Sequence, residues 1–351
     1  QGGTARRLLA WPGTEHSLRL QLGGASALLG WLLLANPVAA LDAQWSVDTP
    51  LAVRNMAPIS QLYGLPRARG AWLTTAGTQI RANVDITSNF EVATNGSDVA
   101  RFDGETYVSS LAVSHAVGRW ELGLEVPHVR HSGGFLDGFI DGFHDLFGFP
   151  DSGRANVERD LLEYRVQLDG ASLVLLDNSR SHIGDVRAWA GYQLHQSPGS
   201  ALALRGMVKL PAGSVASLSG SGGTDVALWA EYANTELLRG LRLQLTLMAG
   251  AVYLGEGDLA RRRQRDVAGV FHFGLQLPLG NRVRLHGQLD AHTEVMDAAL
   301  QEFGGGAVQG TLGGRIRLTR RLWLDLGVVE NLTTSSAPDV TFQISLAARL
   351  Q

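Results

Sequence analysis

Phe135, Phe139, Phe143 and Phe147 recur every four residues, with Leu136 and Ile140 beside them, and Asp137, Asp141 and Asp145 keep the same interval. On a helix this spacing makes a broad apolar face next to an acidic stripe. The aromatic face can line an entry site for a small apolar molecule, or it can pack as a lid over a rim. The aspartates, with His144, can attract a cation, but a step of four is not a calcium-loop spacing, so no metal is expected. The candidate binding or gating residues are therefore Phe135, Phe139, Phe143, Phe147, Asp137, Asp141 and His144, presented by a short helix over 135–149.

A second group lies on one face of the run 282–294. Arg284, His286, Gln288, Asp290, His292 and Glu294 alternate there with Val283, Leu285, Gly287 and Leu289. Hydrolysis by such a face needs a hydroxyl, an imidazole and an orienting carboxylate or amide within hydrogen-bond reach. Serine and aspartate are plentiful, yet no serine sits in a nucleophile-elbow pattern. His128 and His131 read as rim residues at a strand end. The glycines of 304–310 lack the following helix that a phosphate loop requires. No catalytic residue and no cofactor is expected, and Arg284, His286, Asp290, His292 and Glu294 are assigned to a lumen.

That assignment rests on the elements that carry them. Turn signals at Pro198-Gly199, Arg239-Gly240, Gly280-Asn281 and Arg320-Arg321 fall about 40 residues apart, with alternating runs between them. Residues 241–248 read Leu, Arg, Leu, Gln, Leu, Thr, Leu, Met. Period-two alternation separates the apolar and polar sets onto opposite faces of a strand. Runs of about 9–13 residues are long for a soluble sandwich and match a tilted transmembrane strand. Strands are predicted over 79–90, 105–115, 120–129, 184–195, 201–210, 225–233, 241–253, 266–277, 282–294, 308–318, 322–329 and 340–350. A short hairpin is predicted over 162–168 and 171–176. The fold class is all-β, an antiparallel transmembrane barrel of about 12 strands, with 14 as the alternative should the hairpin also cross.

Composition agrees. The chain has 351 residues, 43 glycines, no cysteine and a formal net charge of −3. Without cysteine there is no disulfide, thiolate metal site or acylated anchor. The near-neutral balance offers nothing to nucleic acid, and Arg261-Arg262-Arg263 reads as a loop facing solvent or lipopolysaccharide. Residues 1–40 read as a signal peptide region: Arg6, Arg7 and Arg19 precede an apolar stretch that ends in Val38-Ala39-Ala40. Residues 41–76 form an irregular segment whose Pro50, Pro58 and Pro66 oppose a central strand. It reads either as a tether or as a hatch tucked into the barrel mouth. The barrel takes 77–351.

Three stretches carry a family likeness: Thr49-Pro-Leu-Ala-Val-Arg-Asn-Met-Ala-Pro58 with Leu62-Tyr-Gly-Leu-Pro66; the glycine-phenylalanine-aspartate run from Gly133 to Arg154; and Leu210-Pro211 with Gly220-Ser-Gly-Gly-Thr-Asp225. Together they resemble the family defined as domain of unknown function 3187. The resemblance implies an outer-membrane barrel and brings no reaction with it. The expectation is a bacterial outer-membrane barrel, exported by its signal, that passes or binds small molecules, hydrophobic ones among them. Its partners would be outer-membrane lipid, lipopolysaccharide and the barrel assembly machinery. The alternatives are a barrel-embedded lipid hydrolase and a structural barrel without transport.

Overall fold

The computed structural model describes residues 49–73, 77–136, 161–332 and 336–350. The strands, in chain order, are β1 (Gly77–Asn95), β2 (Asp98–Val117), β3 (Trp120–Ser132), β4 (Glu163–Leu168), β5 (Ala171–Leu176), β6 (Arg180–Ile183), β7 (Val186–Gln196) and β8 (Ser200–Leu210). They continue with β9 (Asp225–Leu238), β10 (Leu243–Tyr253), β11 (Val267–Leu279), β12 (Val283–His292), β13 (Ala307–Arg317), β14 (Leu322–Asn331) and β15 (Val340–Leu350). Every pairing is antiparallel. β1 pairs with β2 on one side and with β15 on the other, from Thr78↔Leu350 to Ser88↔Val340. The wall runs β1-β2-β3-β7-β8 and onward in sequence to β15, a closed barrel of 12 strands. Closure is the physical condition for strands in lipid, because an unpaired backbone N–H or C=O there has no water to meet it.

The expected hairpin is present and does not enter the wall. β4 pairs with β5 and with the far end of β2, Val99↔Gln167 to Asp103↔Glu163. β1 and β2 overrun their expected bounds to make this ribbon. β6, which alternation did not announce, pairs His128–His131 of β3 with Arg180–Ile183. It continues the line of β7 past a one-residue shift in register at Gly184 and Asp185. Pro127 lies opposite and has no N–H to donate, while its carbonyl accepts from Gly184 at 2.8 Å.

Tight turns close one end of the barrel, with Gly118 (φ 61°) and Gly280 (φ 67°) in the left-handed conformation that glycine adopts freely. Long loops close the other end. Outward positions form an apolar belt, including Leu228, Leu285, Leu289 and Leu312. Leu245 is phased outward too, but is only 8% exposed, beside a register shift between β9 and β10.

The core lies inside the barrel. Ile59, Leu62, Tyr63 and Leu65 of the N-terminal segment cluster with the inward-facing Trp189, Met207, Trp229, Met248 and Val252, and with Met296 and Phe303 of the loops. The inner face is therefore not uniformly polar, and its apolar residues pack against this segment.

Candidate functional site

The lumen is built from two parts, the inner wall and residues 49–73. Leu51 enters at mid-height: its N–H donates to Gln288 Oε1 at 2.6 Å, and its side chain lies against Gly313 and Gly327, where a Cβ would meet Leu51 Cδ1 at 2.6 and 3.3 Å. The amide of Gln343 donates to the carbonyl of Ala52. The chain rises to the long-loop end, where Asn55 Nδ2 reaches His292 Nε2 at 2.8 Å and Ser336 O at 2.7 Å. Tyr63 donates its hydroxyl to Met296 Sδ at 3.1 Å. It then descends, and Trp72 Nε1 donates to Ser197 O in a tight turn at the opposite end. Nearly every residue of the segment is buried.

Charge holds the descending limb. Lys209 Nζ donates to Asp185 at 2.7 Å, to Ser221 Oγ at 2.5 Å and to Leu62 O at 3.0 Å, and stands 3.2 Å from Asp225. Asp225 in turn accepts from Gly64 N–H at 2.7 Å. The register shift at Gly184 turns Asp185 inward to complete this cluster. Lower down, Arg67 pairs with Asp85 at 2.7 Å. Arg69 lies 3.4 Å from Glu125 and 3.4 Å above the centroid of the Trp189 ring. Arg205 bridges Glu231 at 2.8 Å and Glu121 at 3.6 Å, and donates to Gly70 O at 2.7 Å. Arg54 is the exception: it is buried, and its Nε and Nη1 have no partner among the described residues.

A cavity of about 50 Å³ remains between the segment and β1–β3, lined by Arg67, Arg69, Asn83, Glu121 and Glu125 among others. It has room for a few waters at most.

Of the residues singled out by spacing, Arg284, His286, Asp290 and His292 share the inner face of β12. Arg284 donates to Gln244 at 2.7 Å, and Asp290 accepts from or shares a proton with His272 Nδ1 at 2.8 Å. Glu294 lies beyond the end of β12, on the rim, paired with Arg265 at 2.9 Å. The strand stops at His292 because the chain turns into the loop there, so the face on which Glu294 was placed does not extend to it. Phe135 is 64% exposed. Its N–H and that of Leu136 donate to the buried carboxylate of Glu105. Phe139, Phe143, Phe147, Asp137, Asp141 and His144, with most of the predicted 135–149 helix, lie outside the described residues. The signal region 1–40 does too.

Thr246, His272 and Asp290 form a hydroxyl–imidazole–carboxylate line across β10–β12, with 3.2 Å from Thr246 Oγ1 to His272 Nε2. The order of groups is that of a nucleophile triad. All three face a filled lumen, and they lie on paired strands whose backbone ladder runs through them. Among the described residues no three metal-ligating side chains come together. The partners Lys209, Glu231 and Gln288 were not predicted as segment contacts; their inward phase was legible, but their reach across the lumen was not.

The crystal structure of the COG4313 outer membrane channel from Pseudomonas putida F1 matches with a TM-score of 0.55 at 15% identity, covering 80% of this chain and 98% of that one. A NanC porin matches with a TM-score of 0.44 at 10% identity, over 78% and 100% of the two chains. The Pseudomonas putida toluene transporter TodX gives 0.39 at 12%, over 88% and 97%. No curated protein matches the chain in sequence. The first of these likenesses is one of fold, that of an outer-membrane β-barrel. The model of the family described as "Protein of unknown function (DUF3187)" matches residues 33–350, nearly the whole chain, and the protein belongs to that family.

Proposed function

We propose that this protein is an outer-membrane channel for small molecules, closed at rest by its own residues 49–73. The observation that carries the reading is the way the segment is held: it passes up and back down inside the barrel on side-chain bonds to both walls and is part of neither. A barrel needs no such segment to close its hydrogen bonds, which the ladder already satisfies. Arg54 adds support, since a buried guanidinium with unpaired donors makes the closed seat less stable than a fully satisfied one. Phe135 and Leu136, where the insertion begins, are tied to Glu105 by their N–H groups. Lipid would contact the apolar belt, lipopolysaccharide the long-loop rim, and the assembly machinery would insert the barrel.

Planar-bilayer recordings test this. The full chain is expected to conduct weakly, and a variant lacking residues 49–73 to conduct strongly while keeping heat-modifiable migration on gels. Equal conductance from two folded proteins would favour a structural barrel without transport.

A further inference from the structure

The strands around Arg69 form a cation cradle that does not depend on the segment. Trp189 of β7 lies flat against β3 because position 123 is glycine; a Cβ there would stand 2.1 Å from the indole. The ring is fixed by donation from Nε1 to Glu121 at 2.9 Å. Its face and the Glu125 carboxylate together hold the Arg69 guanidinium, an aromatic-plus-carboxylate arrangement suited to organic cations. Next to it, Asn83 Nδ2 donates to Asp85 Oδ2 at 2.9 Å and orients the carboxylate that takes Arg67.

The cradle is not saturated by its present occupants. Glu125 Oε1 and Asn83 Oδ1 are buried acceptors without a partner among the described residues, and both residues line the same cavity as Arg67 and Arg69. Arg187 is the cross-strand neighbour of Glu125, but it gives Nη1 to the carbonyl of Asp185 and makes no ion pair with Glu125 among the described residues. Two buried acceptors call for N–H donors. Once the segment leaves, Asp85 loses Arg67, and of the cations around Glu125 only Arg187 of β7 stays.

We infer that the wall formed by β1, β3 and β7 is a binding site for a donor-rich organic cation, a guanidinium or primary ammonium, which Arg67 and Arg69 occupy while the lumen is closed. The inference rests on the channel reading and names its substrate class. A cationic solute then competes with the segment for Asp85, Glu125 and the Trp189 face, and its arrival favours the open state.

The test uses the full chain in planar bilayers. Guanidinium chloride is the probe, and tetramethylammonium chloride, of equal charge but without N–H groups, is the control. Millimolar guanidinium is expected to raise the open fraction about tenfold over the control, a differential of ~1.4 kcal/mol. Glu125→Gln is expected to bring the guanidinium response down to the control level, and Arg67→Gln with Arg69→Gln to open the channel with no added cation. Equal responses to the two cations, or a guanidinium response that Glu125→Gln leaves intact, overturn the cation site and leave the channel reading standing. The first comparison needs no variant to fold. If the unsubstituted protein stays closed in both salts and the folded double-arginine variant is no more conductive, the site and the segment-gated channel both fail.

Discussion

The two halves of the inner wall hold the same segment by different means. On β1–β3 and β7–β9 most contacts are charged: Arg67 to Asp85, Arg69 to Glu125, Lys209 to Leu62 O, Arg205 to Gly70 O, with Gln193 adding neutral amide bonds to Leu73 N–H and Ala71 O. On β10–β15 they are neutral: Gln288 with both polar atoms of the Leu51 backbone, Gln343 with Ala52, His292 with Asn55. The second half has charges of its own, but they brace wall to wall. Arg315 chelates Asp325 at 2.6 and 2.8 Å, and Arg81 reaches the same carboxylate at 2.9 Å from β1. On the channel reading proposed above, a charged solute would contest the segment on the other half.

The largest effect should come from the charged half. Lys209→Met leaves Asp185 and Asp225 buried without their common cation, and is expected to destabilise the protein by about 3–5 kcal/mol, read as a lower unfolding midpoint in detergent. A loss below ~1 kcal/mol would mean that these carboxylates are hydrated or neutral, and that the half is charged in name only.

The outer belt supplies a control that should not distinguish the halves. Leu228 on β9 and Leu285 on β12 are both exposed to the lipid side. Arginine at either is expected to cost a similar amount, about 2–4 kcal/mol near the midplane. Unequal costs, measured by refolding into lipid vesicles, would mean that the belt is tilted and that the contrast between halves is not confined to the lumen.

The smallest effect is expected from Gln288→Leu. It removes the amide bonds to Leu51, 2.6 and 3.3 Å, at about 1 kcal/mol for the pair's net contribution. Conductance should rise slightly, and the rise should be the same in guanidinium and tetramethylammonium salts. A cation-dependent change would place charge recognition on the neutral half and dissolve the contrast.

Much of the barrel was legible as alternation, because lipid on one side and a filled lumen on the other impose a period of two over a span-length strand. The predicted bounds of β5 and β15 coincide with those observed, those of β8 differ by one residue at one end, and those of β13 are shifted by one residue at both. The inward phase of Arg205, Lys209, Glu231 and Arg284 was readable for the same reason. Arg242 was not: its place in the alternating run put it on the lumen face, but it occupies a tight turn with φ 59° and is exposed. Nor was β6, only Arg180–Ile183, too short to show a period.

The proline-rich stretch before β1 announced itself as something other than a strand, but tether and hatch were left open. An irregular segment has no period, and its partners lie far along the chain: Leu51 meets Gln288, Gly64 meets Asp225, Arg69 meets Trp189. Sequence alone determined the barrel, its facing and the supply of inward charge, since each follows from neighbours one or two residues apart. Only the closed tertiary structure decided which charge meets which and that the segment lies among them. Closing the barrel brings walls face to face that are more than a hundred residues apart in the chain, and burial then leaves each charge the choice of a partner or a penalty.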